Sequence, residues 1–325
     1  MTISRRSILR TAAAAVALPS VSRLARADTY PSRPIRLIIG YAPGGSADIT
    51  ARHTAQWLQE KLGQPVIVES RPGAATNLAT EAVVNAAPDG YTLLLVAPAN
   101  AINTTLFAKL NFNFLRDIVP VAGIIRFPNV VLVHKQLPIT TIPELIAYAK
   151  ANPGKLNMAS SGNGSTIHMS GELFKMLTGI DMVHVPYRGA APATTDLIAG
   201  HVHVMFDNIP TAAEQVKGGQ LRGLAVTSLQ RSEILPELPL VADYLPGYEA
   251  SAWYGLGAPK GTPDDIIAKL NGSVNEFLGN AAALKRLKDL GATTISGAPA
   301  DFGKLVADET EKWGKVVKAS GAKPG

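Results

Sequence analysis

The chain has 325 residues, of which 46% are hydrophobic and only 17% charged, so it can form packed cores and is not a disordered protein. It has no cysteine, which excludes disulfide bonds, thiolate metal sites, iron–sulfur clusters and a cysteine nucleophile. The formal charge of +6 invites a nucleic-acid partner, but residues 1–27 hold five arginines and no acidic residue, which leaves about +1 (6 − 5) for residues 28–325.

The first 27 residues have the pattern of a twin-arginine signal peptide. Arg5 and Arg6 precede an apolar run at 12–18, and residues 25–27 (Ala-Arg-Ala) offer a small-residue cleavage site. The apolar run is far shorter than the ~20 residues that span a bilayer. We therefore predict a mature periplasmic protein that starts near Asp28 and does not insert into the membrane; the alternative is a short N-terminal helix.

The first part of the mature chain alternates between strands and helices. The pattern predicts strands at 35–41, 66–70 and 91–97, with helices at 48–62 and 78–86 between them. Continuous apolar strands separated by amphipathic helices are typical of a parallel sheet covered on both faces. We expect these strands to be buried rather than to lie at an exposed edge.

A second set of elements begins near residue 129 and is large enough for a lobe of its own. The predicted strands are 129–133, 156–160, 182–186, 202–206 and 221–226, and the helices are 141–151, a segment ending near 178, and 192–199. A strand at 252–258 and helices at 263–278, 281–290 and 301–319 complete the chain.

The C-terminal helices lack enough strands for a sheet of their own, so we expect them to return to the first lobe. The chain then crosses between lobes near 127 and near 251. Residues 28–127 with 251–325 form lobe 1, and residues 128–250 form lobe 2. The predicted fold class is α/β, with two lobes that are each a mostly parallel sheet flanked by helices.

Three loops rich in glycine and small polar residues follow predicted strands: 42–48 (APGGSAD), 160–166 (SSGNGST) and 187–191 (YRGAA). Parallel sheets place ligand sites beyond the carboxyl ends of their strands. The helix that follows each loop adds unpaired N–H groups and a positive dipole end. Such loops can bind a carboxylate or a phosphate, although glycine there can also serve turn geometry alone.

The sequence lacks the motifs of common enzymes: a Walker A loop, G-x-G-x-x-G, G-x-S-x-G and H-E-x-x-H. His201 and His203 share a strand face, but no acidic residue adjoins them in the sequence, so we predict no metal site. Because the enzyme motifs are missing, we also predict that the protein has no cofactor and is not an enzyme. Trp253 and Tyr254 are expected to divide between the core and the rim of a pocket. No helix carries a Lys/Arg stripe for nucleic acid.

Three acidic or imidazole side chains have two interpretations each. Asp48 stabilises a helix N-terminus or contributes to a ligand site. His168, in the first turn after the SGNGST loop, contacts ligand or lines the surface between lobes. Asp207 belongs to a structural turn or points at the ligand end of the second sheet.

The motifs YAPGGSAD (41–48), SSGNGSTIHMSGELF (160–174) and MVHVPYRGAAPATTDLIAGHVHVMFDN (182–208) together resemble the Bug-type (TctC-like) solute receptors of tripartite tricarboxylate transport systems. The resemblance covers about residues 30–320. It implies a type II periplasmic binding-protein fold with a ligand cleft between the lobes. It also implies a small carboxylate as cargo, bound by backbone amides, small hydroxyls and ordered water.

The resemblance places the first glycine-rich loop opposite the second, with further residues completing the cleft. The predicted ligand-binding residues are Tyr41, Pro43, Gly44, Gly45, Ser46, Asp48, Asn100, Ser161, Gly162, Asn163, Ser165, Thr166, His168, Tyr187, Arg188, Gly189 and Asp207. The chain departs from the family pattern at Ala75 and Thr76, where two glycines are common, and at residues 97–100. Arg188 replaces a usual lysine and, if it faces the cleft, could hold the distal carboxylate of a diacid bidentately.

The predicted function is that of a periplasmic solute-binding protein, which captures a small organic carboxylate for the membrane permease subunits of a tripartite tricarboxylate-type transporter. Closure of the two lobes around the ligand is the expected mechanism. The alternative is a periplasmic ligand sensor that acts on a two-component signalling receptor. We expect a monomer.

Overall fold

The structure, a computed structural model, describes residues 30–324, so the predicted signal peptide lies outside the described residues. In this range, no helix has both the length and the apolar character that crossing a membrane requires.

The elements of the first part agree with the alternating pattern. They are β1 (Ile35–Ile39), α1 (Ser46–Leu62), β2 (Val66–Ser70), α2 (Asn77–Val84), β3 (Thr92–Val96), α3 (Pro98–Leu106) and α4 (Phe114–Asp117). No helix was predicted at α3 or α4; α3 begins at Pro98, and proline is well tolerated in the first turn of a helix.

The middle of the chain has β4 (Ile118–His134), α5 (Ile142–Ala151), β5 (Asn157–Ser160), α6 (Thr166–Thr178), β6 (Val183–Pro186), α7 (Ala190–Ala199), β7 (Val204–Asn208), α8 (Ile209–Lys217) and β8 (Leu221–Val226). The end has β9 (Ser251–Pro259), α9 (Asp264–Gly279), α10 (Ala281–Asp289), β10 (Thr293–Thr294) and α11 (Pro299–Ser320). The prediction placed the start of β4 too late, at residue 129, and missed α8.

Strand β4 belongs to two sheets. Its residues 118–128 pair with β9 in the first sheet, which has the order β2-β1-β3-β9-β4 with β10 also on β4. From Asn129 onward it pairs with β7 and β8 in the second sheet, which continues to β5 and β6. The change of partners after Pro128 is consistent with the predicted lobe boundaries near 127 and 251, which remain a prediction.

The strands that precede the glycine-rich loops are parallel, as predicted. β1 lies between β2 and β3, and β5 lies between β6 and β7, with parallel pairing throughout. The strands β4, β8, β9 and β10 pair antiparallel with their neighbours. The loops after the parallel strands therefore face one another across the junction of the sheets.

The expectation that the three strands of the first part are buried is wrong for β2. This strand is an end strand of the order, and its Ile67 is 53% exposed. An end strand has a neighbour on one side only, so alternate side chains can reach solvent even when the sequence reads as apolar.

Burial of one face of each helix fixes the loops in place. Ala51, Ala55 and Leu58 of α1 are buried in one core with Leu37 and Ile39 of β1. Burying a leucine side chain stabilises the fold by ~1.5–3 kcal/mol. The N-terminus of α1 is thereby held directly above the end of β1.

Candidate functional site

A small cavity lies where the loops of the two sheets meet. Its volume is ≈ 10 Å³, and it is lined by Tyr41, Gly45, Ser46, Ala47, Pro98, Ser161, Ser165, Thr166, Ala190, Asn208 and Tyr254. None of these residues is Lys, Arg, His, Asp or Glu. Any charge on a ligand in this cavity must therefore be stabilised by dipoles and hydrogen bonds.

Five helices begin at this cavity. Ser46, Pro98, Thr166 and Ala190 are the first residues of α1, α3, α6 and α7, and Asn208 directly precedes α8. Each helix N-terminus carries free backbone N–H groups and roughly half a positive charge. Their convergence makes the cavity attractive to an anion although it contains no cation.

The two sides of the cavity are joined by direct hydrogen bonds. The Ser46 hydroxyl donates to Asn208 Oδ1 at 2.8 Å and lies 2.9 Å from the Tyr254 hydroxyl. Because Ser46 has one hydroxyl hydrogen, Tyr254 donates to Ser46. The Asn208 amide donates to Asn129 Oδ1 at 2.6 Å, which fixes its orientation.

Backbone contacts also join the two sides. The Ala42 N–H donates to the Arg188 carbonyl at 2.9 Å. A Cβ atom on Gly189 would lie 2.9 Å from the Ala42 Cβ, closer than such atoms approach in proteins. Glycine at 189 is therefore required for the loop 187–191 to meet the loop 42–48.

Two histidines, the buried His168 and the half-buried His184, lie against the loop 161–165. The rings of His168 and His184 stack with centroids 3.8 Å apart, and the Gly164 N–H donates to His168 Nδ1. Burial lowers the pKa of His168 to about 2 and that of His184 to about 4. Both rings are neutral near pH 7, and His168 packs in the interior rather than on the cavity.

Asp207 lies below the cavity and is fully buried. Its carboxylate accepts from the Asn208 N–H at 2.8 Å and from the Thr211 hydroxyl at 2.8 Å. Burial raises the pKa of Asp207 to about 6, although these hydrogen bonds oppose the rise. Asp207 is therefore not a lining residue. It orients its neighbour Asn208, which lines the cavity.

Two other predicted residues stabilise helix starts. Asp48 accepts from the Gly44 N–H at 3.0 Å and pairs with Arg52 at 2.9 Å. Asn100 accepts from the Ala97 N–H at 2.7 Å and donates to the Thr80 hydroxyl. Of the two interpretations of Asp48, the structure supports the one that places it at a helix N-terminus.

Arg188 and Tyr187 lie outside the cavity. The Arg188 side chain is exposed, so the condition that it faces the cavity is not met in this conformation. The Tyr187 hydroxyl donates to Asp196 at 2.6 Å, and burial together with that carboxylate raises its pKa to about 12.

Six of the predicted residues line the cavity: Tyr41, Gly45, Ser46, Ser161, Ser165 and Thr166. The other eleven do not line it: Pro43, Gly44, Asp48, Asn100, Gly162, Asn163, His168, Tyr187, Arg188, Gly189 and Asp207. Their predicted role in ligand binding stays a prediction.

Five lining residues were not in the predicted set: Ala47, Pro98, Ala190, Asn208 and Tyr254. Proline just before a helical pattern could have revealed Pro98. The division expected for Trp253 and Tyr254 is confirmed, because Trp253 packs in the core and Tyr254 reaches the cavity. No local signal identifies Tyr254 alone, since β9 is buried along its whole length.

A much larger cavity of ≈ 810 Å³ lies where β4 changes from the first sheet to the second and where β9 begins. Its walls include the cations Arg126, Arg231 and Lys288 and the anions Glu233 and Glu249. Across residues 30–324, no group of three or more His, Asp or Glu side chains is arranged to hold a metal ion.

Two α/β sheets joined by crossing strands, with a polar cavity closed between their loops, define a bilobed binding protein. The family described as tripartite tricarboxylate transporter family receptor, TctC, matches residues 50–322. The chain belongs to this family of solute-binding receptors.

Individual relatives agree with this assignment. Protein BugT of Bordetella pertussis is 38% identical over 311 residues, which cover 95% of each chain. The structure of R. palustris Rpa4515 with adipate is 38% identical, with a TM-score of 0.88 over 91% of this chain and 100% of that one. MatC from Rhodopseudomonas palustris with bound malate is 34% identical, with a TM-score of 0.85 over 89% of this chain and 100% of that one. These matches confirm the predicted periplasmic binding-protein fold.

Proposed function

We propose that this protein is a periplasmic receptor that captures a small organic carboxylate and delivers it to the membrane subunits of a tripartite tricarboxylate-type transporter. The observation that carries the proposal is the convergence of five helix N-termini on one cavity without ionised side chains. That arrangement favours a carboxylate over a cation or an apolar solute. It holds no pair of groups for nucleophilic or acid–base catalysis.

The relatives support the same class of cargo. Two similar structures carry a dicarboxylate, adipate in one and malate in the other. Direct contacts such as Ser46 to Asn208 and Ala42 to Arg188 support a mechanism in which the lobes close over the ligand. We propose that the mature receptor acts as a monomer, because one chain contributes both sides of the cavity.

The test is calorimetric titration of the mature protein with succinate, malate and adipate. We expect at least one of these acids to bind, and the corresponding neutral diamide to bind far more weakly. The Ala190→Asp variant places a carboxylate in the first turn of α7 at the cavity and should lower affinity at least ~100-fold by charge repulsion.

Ala281→Asp is the matched control, because it puts the same group in the first turn of α10, where Ala281 is exposed. The control should bind as the unmodified protein does. Equal affinity of both variants for the bound acid would contradict the assignment of the cavity. Failure of every small carboxylate to bind would contradict the proposed function itself.

A further inference from the structure

Four buried side-chain polar atoms lack a hydrogen-bond partner among residues 30–324, and three of them lie together. They are Thr76 Oγ1, Asn77 Nδ2 and Asn103 Oδ1, on residues that are 4%, 7% and 1% exposed. Buried polar groups in proteins are almost always paired, because an unpaired one loses its hydration without compensation. A cluster of three is therefore a candidate for contact with a bound molecule.

The hydrogen bonds around the cluster define what it offers. The Asn103 amide nitrogen donates to the Ala75 carbonyl at 2.6 Å and to Asn77 Oδ1 at 2.9 Å. Two acceptors fix the orientation of the Asn103 amide, which leaves its oxygen as an acceptor and the Asn77 nitrogen as a donor. We call Thr76, Asn77 and Asn103 together the neutral patch.

None of the three residues of the neutral patch lines the cavity, but the patch packs against two segments that supply lining residues. A Cβ atom on Gly164 would lie 2.6 Å from Asn103 Oδ1, and Gly164 stands between Ser161 and Ser165, which both line the cavity. On the other side of the patch, Gly40 directly precedes the lining residue Tyr41, and a Cβ atom on Gly40 would lie 2.4 Å from the Thr76 Cβ. The patch thus packs against the segments 40–41 and 161–165, each of which contributes lining residues to the cavity.

The backbone that carries the patch is held in an unfavourable conformation. Ala74, Ala75 and Thr76 have φ angles of 45°, 53° and 75°, and none of them is glycine. Consecutive left-handed residues with side chains cost stability and persist only where surrounding contacts hold them. The hydrogen bond from Asn103 to Ala75 is such a contact.

We propose that the neutral patch is a subsite for an uncharged hydroxyl group of the cargo, so that the receptor prefers hydroxycarboxylic acids to the acids that lack the hydroxyl. This inference rests on the proposed function. A hydroxyl can donate to Asn103 Oδ1 and accept from Asn77 Nδ2 or Thr76 at the same time. A carboxylate only accepts, so it would leave Asn103 Oδ1 unpaired, and no residue of the patch is a cation.

The test compares acids that differ by one hydroxyl: malate with succinate, 2-hydroxyglutarate with glutarate, and citrate with tricarballylate. We expect the hydroxy acid of at least one pair to bind about tenfold more tightly to the mature protein, which is the effect of one added hydrogen bond to buried partners. Thr76→Val, which keeps the branched shape and removes the hydroxyl, should reduce that ratio to about threefold or less. Thr76→Ser should preserve it, as should Thr195→Val on the exposed side of α7.

A second readout separates binding from structure. Because Thr76 Oγ1 has no hydrogen-bond partner within the described range 30–324, Thr76→Val should leave the thermal unfolding midpoint of the unliganded protein unchanged or raised. A lower midpoint together with an unchanged ratio would show a structural role and overturn the inference. Carboxylate binding without any hydroxyl preference would overturn it and leave the proposed function standing. If none of the six acids binds, the inference fails, and if no other small carboxylate such as adipate binds either, the proposed function fails with it.

Discussion

The two cavities described above differ both in volume and in the charge of their walls, and the larger one is not the one we propose as the binding site. The larger, at ≈ 810 Å³, has charged walls, whereas the cavity between the loops measures ≈ 10 Å³ and contains no ionised side chain. The larger cavity lies among crossing strands and the α10 region, while the smaller one collects five helix N-termini.

Under the proposed function, the direction of the helix dipoles, rather than the cavity volume, marks the binding site. Cations at the larger cavity form ion pairs with neighbouring acidic side chains; the Arg231 guanidinium, for example, lies 3.7 Å from the Asp243 carboxylate. The smaller cavity has N–H groups that a helix cannot pair internally, and these are available to a ligand. Three predictions test whether the two regions separate stability from binding.

The largest effect is expected beside the larger cavity and on stability alone. Glu309 is 5% exposed and accepts the indole N–H groups of Trp253 at 3.1 Å and Trp313 at 2.8 Å, and it pairs with Arg126 at 3.4 Å. Glu309→Ala would leave two buried donors unpaired, so we expect the free energy of unfolding to fall by ~3 kcal/mol, measured by urea denaturation.

Glu309→Gln is the matched control, because its amide oxygen can still accept from an indole, and it should lose less than half as much stability. Carboxylate affinity at low temperature should be the same for both variants and the unmodified protein. A loss of affinity with intact stability would show that the larger cavity takes part in binding.

The intermediate effect concerns pH and the charge below the smaller cavity. An anion bound near Asp207 raises the pKa of that carboxyl further above about 6, because two negative charges repel. Affinity should therefore increase as pH falls from about 7.5 to about 5.5, by roughly fivefold or ~1 kcal/mol; the gain is complete below pH 6 and lost above the pKa of the bound form.

Titration calorimetry across this range checks the direction, with Asp207→Asn as the control that should give a flat profile. His168 and His184 do not contribute, because burial keeps their pKa values at about 2 and about 4. An affinity that rises with pH in the unmodified protein would contradict the placement of the ligand near Asp207.

The smallest effect is expected at Arg188. Its carbonyl accepts from Ala42, but its guanidinium is exposed and outside the cavity. Arg188→Ala keeps the carbonyl, so the affinity for a dicarboxylate should change less than about threefold, within the range typical of exposed charges. A tenfold loss of affinity would instead support the hypothesis that Arg188 holds the distal carboxylate bidentately, and the binding site would then include Arg188.

Much of the fold could be predicted because its signals are local. The strands at 66–70 and 221–226 have the predicted bounds, and α1 ends at Leu62 as expected. Apolar runs, helix periodicity and glycine at helix ends are set within a few residues, so the chain reports them directly. Of the three missed helices, α3 and α8 have proline in their first turn, where it signals a start as readily as a break, and α4 is only four residues long.

The class of receptor, the alternation of strands and helices, and the glycine-rich loops of the candidate site could all be predicted from the amino-acid sequence. The structure adds that Ser46, Asn208 and Tyr254 meet and that Arg188 stays outside the cavity. It also shows that Thr76, Asn77 and Asn103 each have one polar atom without a partner among residues 30–324. The reason is physical: Ser46 and Tyr254 are 208 positions apart in the chain. Such contacts depend on how two sheets are oriented, which no local pattern encodes.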